Sequence, residues 1–280
     1  MENNEKKKSS FVTRAISCVL LLLGAILLLH FAESTAGNWI FRIFNWFIAL
    51  VGTMELLRVV GCHKSVLAIA NYLAITALYT FIYLNQQEYL IPLIILFLIF
   101  LFAVMVICFP RFSPEQIFTA FICIIYVGLG LSYLYQTRMN VENGRFIVWF
   151  IFAASWGSDT FAYIFGVTMG KHHPFPHLSP KKSIEGCIGG VAGAAVLTWI
   201  YCLVLEHGFG IWLMRPWKAA IVCGIGAVIS QLGDLAASAI KRHYNIKDYG
   251  HLIPGHGGIL DRFDSMIFVA PIVYYLTELI

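Results

Sequence analysis

The chain has 280 residues, of which 59% are hydrophobic and 12% charged. Soluble domains carry roughly 25% charged residues, so long apolar runs at half that charge exclude a soluble globular protein and indicate a polytopic membrane protein. The formal net charge of +4 is too small to imply a nucleic acid partner.

About nine apolar segments follow one another, each near the ~20 residues that cross a bilayer. They lie at roughly 12–31, 39–60, 66–84, 89–109, 115–135, 146–166, 187–205, 217–238 and 263–279. They predict an all-α, polytopic membrane helix bundle. The first segment, Phe11–Phe31, is long for a signal peptide and lacks a small-x-small cleavage site, so it reads as a retained span. No internal repeat or soluble domain is visible. Residues 1–145 read as a transmembrane scaffold, and 146–280 as a region with two polar loops, in one membrane unit. The seven cysteines form no C-x-x-C and read as free, buried small residues.

With the N-terminus in the cytoplasm, fourteen of the nineteen Lys and Arg residues fall in cytoplasmic segments. Both polar loops, about 167–186 and 239–262, then face the cytoplasm. Trp39, Trp46, Trp149, Trp212 and Trp217 suit anchors at the outer interface. In the second span, Glu55 stands three positions before Arg58, which fits a local ion pair; a role in a pathway stays open.

The first polar loop follows Asp159, which ends an aromatic-rich span in Ser158-Asp-Thr-Phe-Ala-Tyr163. Gly166–Lys171 fails as a Walker A loop, because the spacing is short and His172 follows the lysine. Ser179, Lys181, Lys182 and Ser183 offer point charges and hydroxyl donors suited to phosphate. The same lysines also satisfy the positive-inside rule with no ligand at all. His172, His173 and His177 fit solvated or hydrogen-bonded side chains better than metal ligands.

The second polar loop follows a helix end. At 100° per residue, Gln231, Asp234, Ser238, Lys241 and Arg242 share one stripe about 100° wide. A charged residue at the bilayer centre costs ~2.5–3.5 kcal/mol, so Asp234 must face protein, a cation or a hydrated cleft. Asp261 and Asp264, three apart, become neighbours on an incipient helix. A carboxylate at a helix end and another returning from a loop suit Mg²⁺, which takes oxygen ligands and shares substrate phosphates. Between them, Pro254-Gly-His-Gly-Gly258 lets backbone N–H groups converge on an anion. A salt bridge between Asp234 and Lys241 beside a plain glycine turn is the bland alternative.

Taken together, Ser238-Ala-Ile-Lys-Arg242, Lys247-Asp248 and Pro254-Gly-His-Gly-Gly-Ile-Leu-Asp-Arg-Phe-Asp264 resemble the signature of the phosphatidate cytidylyltransferase (CDP-diglyceride synthase) family. Asp159-Thr-Phe-Ala-Tyr163, Gly170-Lys171 and Ser179-Pro-Lys-Lys-Ser-Ile-Glu-Gly186 resemble its second motif. The motifs cover about the last 120 residues. Two positions depart: Ala237 stands where the family often has Glu, and Phe161 where it often has Gly.

The resemblance implies transfer of CMP from CTP to phosphatidate, Mg²⁺ dependence, a bacterial cytoplasmic membrane and a homodimer. It implies divalent metal on Asp234 and Asp261, with Asp264 and Asp248 in support. Two Mg²⁺ ions are expected, with an added monovalent cation left open. Asp234, Asp261, Lys241 and Arg262 are the expected catalytic residues. Asp159, Lys171, Ser179, Lys181, Lys182, Ser183, Ser238, Arg242, Lys247, His256, Gly257 and Gly258 are the expected substrate contacts. The rival readings are a CTP-dependent enzyme on another lipid, such as a polyprenol kinase, a transporter, and a non-catalytic scaffold.

Overall fold

The computed structural model describes residues 23–29, 32, 34–253 and 257–280. Most of the first expected span, and His256, lie outside them; residues 23–29 are helical. Among the described residues, seven helices are long and apolar enough to cross a membrane: α1 (Thr35–Val59), α2 (Val66–Tyr83), α3 (Gln87–Ile107), α4 (Pro114–Asn140), α5 (Gly144–Met169), α6 (Ile184–Phe209) and α7 (Pro216–His243). An eighth, α8 (Leu260–Leu279), stands where the ninth span was expected but is not among those seven. Its composition has a physical reason. Phe263, Met266, Ile267, Val269, Ala270 and Val273 are buried in protein, so less of its surface has to match lipid.

Local chemistry sets the helix ends. Ser34, Ser65 and Ser183 cap α1, α2 and α6 with side-chain oxygens that accept backbone N–H groups. Ser113 and Gln116 form a reciprocal capping box at the start of α4, with Pro114 in its first turn. Gly210, at φ +65°, closes α6. Lys241, Arg242 and His243 occupy the last turn of α7, where cations complement the helix dipole. Two helices carry π-helical stretches, Cys123–Leu129 in α4 and Ala153–Gly157 in α5. Such insertions re-aim the residues that follow, and Asp159 comes two positions after the second.

The chain divides into two units. The first runs to Ser132 and takes in Ile246–Phe263. In it α1 packs on α2, and Asn45 Nδ2 donates to the Leu131 carbonyl at 3.1 Å. Its α3 buries only Phe97 and Leu101, as suits a helix that is apolar all round and faces lipid.

The second unit comprises Tyr133–Asn245 and Asp264–Ile280. Here α6 packs against both α5 and α7. The approach of α6 to α5 is close enough that a Cβ on Gly190 would lie 2.9 Å from the Ser158 carbonyl. Phe161, one of the two residues that depart from the family pattern, sets its ring where a Cβ on Gly193 would stand.

Candidate functional site

In the second unit, α5, α6 and α7 border a cleft of about 180 Å³ lined by Asp159, Tyr163, Lys181, Lys182, Ser183 and Gln231, among others. Gln231 ties the three helices together. Its Nε2 donates to the Cys187 carbonyl at 2.9 Å and to Ser158 Oγ at 3.4 Å. Beside it, Lys182 Nζ lies 2.6 Å from Asp234 and donates to the Gln231 carbonyl at 3.5 Å. Asp264 is 6% exposed and lies within reach of the charges of Asp234, Lys241 and Asp159. Lys241 Nζ approaches it to 3.9 Å. A carboxylate as buried as Asp264 needs a partner, and Lys241 supplies it, while Asp234 and Asp159 reach more solvent.

The polar stripe of α7 therefore acts as one surface. Gln231, Asp234 and Lys241 all enter this network, Ser238 sits half-buried on the same stripe, and Arg242 is exposed. The bland pairing is replaced: Asp234 pairs with Lys182, and Lys241 with Asp264.

The loop between α5 and α6 is organised by Glu185. Its Oε2 accepts the N–H groups of Lys171 at 3.1 Å and His172 at 3.3 Å, and its Oε1 meets His172 Nδ1 at 2.6 Å. His173 Nδ1 lies 3.1 Å from the Lys182 carbonyl. Both histidines are thus hydrogen-bonded, and His177 is exposed. Ser183 uses its hydroxyl to accept the Gly186 N–H at 3.1 Å, so its part in the cleft wall is to start α6. Ser179 closes a turn onto the Lys182 N–H at 3.1 Å, and Lys171 is exposed.

In the first unit, the glycine loop does gather N–H groups around anions, but the anions are the protein's own. Asp261 Oδ2 accepts from Tyr249 at 2.8 Å and Gly258 at 2.9 Å. Glu55, 1% exposed, accepts from Ile259 at 3.1 Å and Leu260 at 2.7 Å. Arg58 lies within reach of the Glu55 charge, as the local spacing suggested, but the hydrogen bonds of the carboxylate go to a loop more than 200 residues away. Gly257 has φ +83°, and a Cβ there would lie 2.7 Å from Asp261 Oδ2 and 3.2 Å from the Asp248 Cβ, so only glycine fits. Asp248 and Arg262 are half-buried, and Lys247 is exposed.

Among the described residues, no three His, Cys, Asp or Glu side chains form a ready metal cage. Mg²⁺ in phosphoryl chemistry is commonly held by one or two carboxylates, with waters and substrate phosphates completing its shell. Asp234 and Asp264, two oxygen donors in mutual electrostatic reach, fit that demand. Asp261 precedes Asp264 by three positions in α8 and spends one oxygen on the loop.

Residues 12–280 match the cytidylyltransferase family. The chain belongs to that family. A phosphatidate cytidylyltransferase of Staphylococcus saprophyticus is 41% identical over 166 residues, which is 59% of this chain and 61% of that relative. Those of Staphylococcus epidermidis and Staphylococcus aureus are 42% and 39% identical over the same length. The chain spans 61% of the length of the curated relatives it matches. In this cytidylyltransferase-family chain, sequence reasoning missed the work of Glu185 and the backbone partners of Glu55. The available signal for Glu55 was its cost: a carboxylate inside a span has to answer to something.

Proposed function

We propose that the chain is a phosphatidate cytidylyltransferase, making CDP-diacylglycerol and pyrophosphate from CTP and phosphatidate. The observation that carries this reading is the cluster of Asp159, Asp234 and Asp264 with Lys182 and Lys241, in a chain of this family. It supplies what the joining of two anions requires, which is oxygen donors for a divalent cation and fixed positive charge for phosphates.

An oxygen of the phosphatidate phosphate attacks the α-phosphorus of CTP. The bond from that phosphorus to the bridging oxygen breaks, and pyrophosphate leaves with the electron pair. A phosphate monoester is already largely ionised, its second pKa being roughly 6, so no strong general base is needed. The chain's task is alignment and charge neutralisation. Lys181 and Lys182 bind phosphate from the cleft wall, with Asp159, Ser183 and Tyr163 shaping it. Lys241 and Arg262 offset charge beside the carboxylates, and Arg242 and Lys247 draw in the anionic headgroup from their exposed positions. Asp234 and Asp264 would hold Mg²⁺ in the second unit, and Asp261, with Asp248 in support, in the first. Bound Mg²⁺ supplies Lewis-acid stabilisation of the phosphate oxygens.

Successive crossings by α1 to α7 put the connections 60–65, 108–113, 170–183 and 244–259 on one membrane face, and the Lys and Arg excess makes that face cytoplasmic. We place the protein in a bacterial cytoplasmic membrane with this chemistry facing the cytosolic nucleotide pool; a homodimer follows from the family resemblance alone. The deciding experiment incubates purified chain with CTP and phosphatidate, with and without Mg²⁺, and identifies the lipid product by mass. CDP-diacylglycerol formed only with Mg²⁺ supports the reading. A product formed only from another lipid acceptor, or none, overturns it.

A further inference from the structure

Glu185 stands in the first turn of α6, where a carboxylate complements the helix dipole, yet its side chain reaches back to the start of the loop that precedes that helix. There the chain has just left α5 at Gly170, whose extended backbone (φ −64°, ψ 121°) leads away from the helix. Glu185 Oε2 takes the N–H groups of Lys171 and His172, at 3.1 Å and 3.3 Å, and Oε1 meets His172 Nδ1 at 2.6 Å. An ionised carboxylate only accepts, so that ring nitrogen donates. The His172 carbonyl accepts in turn from the Ile184 N–H at 2.9 Å. His172 is therefore held at its N–H, its ring and its carbonyl, each time by residue 184 or 185.

The next residue carries the hold to the far end of the loop. His173 Nδ1 lies 3.1 Å from the Lys182 carbonyl, and the Lys182 N–H donates to the Ser179 carbonyl at 3.1 Å. The backbone of Lys182 is thus pinned on both sides. Its Nζ sits 2.6 Å from Asp234 and 3.5 Å from the Gln231 carbonyl. Lysine is a point charge on a flexible four-carbon stem, so the backbone it hangs from decides where the charge can stand. Lys182 lines the cleft; Glu185 is not among the described residues that do.

We infer that Glu185 is a positioning residue: by clamping Lys171 and His172 to the start of α6, it closes the neck of the lysine loop and sets Lys182 in the cleft. It acts on phosphate through that lysine and does not touch it. Its bearing on phosphate rests on the cytidylyltransferase reading of Lys182, while its hold on that lysine can be measured without turnover.

Glu185→Ala removes the clamp and Glu185→Gln keeps it. In Gln the amide oxygen can accept both N–H groups, and the NH₂ can face a His172 Nδ1 that has changed tautomer. In nanodiscs, amide exchange at Lys171, His172 and Ile184 should run at least about tenfold faster in Glu185→Ala than in the parent. Acylation of Lys182 by a soluble succinimidyl ester, read by mass spectrometry, should rise about fivefold or more as the Asp234 pair loosens. Lys64, an exposed lysine of the first unit, serves as the reference. In turnover, KM for CTP should rise about tenfold with kcat within about twofold. Adding Lys182→Ala should raise KM no further than Lys182→Ala alone, because a residue that acts through another is not additive with it. Glu185→Gln should stay within about twofold of the parent throughout. His172→Ala, at an exposed position, should give the same pattern at about threefold and stands in if Glu185→Ala does not fold. Unchanged Lys182 acylation in these variants would overturn the inference and leave Glu185 a purely structural cap. So would additive KM losses in the double variant, or a Gln variant as impaired as the Ala one, since either gives Glu185 a contact with substrate of its own. If the parent chain turns over no CTP, the functional reading fails by itself, and the acylation of Lys182 still decides what Glu185 holds.

Discussion

Under the proposed function Asp261 would do two jobs with one side chain, and they can be separated. Asp261→Asn keeps an oxygen to accept the Tyr249 and Gly258 N–H groups but removes the charge a divalent cation needs. CTP turnover should fall by about a hundredfold or more, the scale on which preorganised electrostatic groups act, while thermal unfolding stays close to that of the parent. An active Asn variant would take Asp261 out of the metal site. Lys182 allows a complementary measurement. Its side chain is 20% exposed and pairs with an Asp234 that is 32% exposed, so breaking the pair costs little stability, about 0–1 kcal/mol. Lys182→Ala should instead raise KM for CTP about tenfold, or about 1.4 kcal/mol of binding, with kcat nearly unchanged. A KM that does not move would leave the lysine as a topology anchor only.

At the level of elements, the sequence disclosed most of what hydrophobicity and local chemistry control. The runs 39–60, 66–84 and 89–109 became helices within a few residues of their expected ends, because each is bounded by polar or turn residues that cap or break it. The Gln231–Asp234–Lys241 stripe was legible because helical periodicity alone puts those residues on one face. What stayed hidden is of a different kind. The π-helical stretches of α4 and α5 leave no mark in an apolar run, yet the second ends two residues before Asp159. The hydrogen-bond partners of Glu55 stayed hidden because they are backbone N–H groups, which carry no residue identity. The N–H groups at the end of the glycine loop turn to Asp261 and Glu55, partners that spacing could not name. The close seam between α5 and α6 offers the test proper to this scale. Gly190→Ala drives a methyl group toward the Ser158 backbone, one residue from Asp159. It should destabilise the chain by roughly 1–3 kcal/mol, the usual cost of overpacking, and lower turnover as α5 shifts. Gly224→Ala, where a Cβ meets only the Ala195 methyl at 3.9 Å, should change stability by no more than about 0.5–1 kcal/mol, with helix propensity in its favour. Equal effects from the two would mean that the seam is not tightly packed.

For the whole molecule the argument is one of sidedness. Under the proposed function CTP would come from the cytosol and phosphatidate from the bilayer, so every group that touches phosphate would have to reach the same membrane surface. The seven apolar helices predict this by parity, since the odd-numbered ones all end on that surface. Single cysteines in a cysteine-free background, probed with an impermeant maleimide, make it measurable. Lys64→Cys, Arg111→Cys, Lys171→Cys and Lys247→Cys, all at exposed positions, should label from the cytoplasmic side in inverted vesicles and stay silent in intact cells. Glu88→Cys and Glu142→Cys, exposed in the alternate connections, should do the reverse. Glu278→Cys then decides α8. Twenty residues at 1.5 Å each give about 30 Å, enough to span, and its buried inner face explains how a helix that starts Leu-Asp-Arg-Phe-Asp can still cross. Labelling of Glu278→Cys from the outer side would make α8 a true span, with its carboxylates at the cytoplasmic end. Labelling from the cytoplasmic side would give a helix that turns back. Labelling of Lys171→Cys and Lys247→Cys from opposite sides would break the functional reading, because the lysine loop and the carboxylate loop would no longer share a surface.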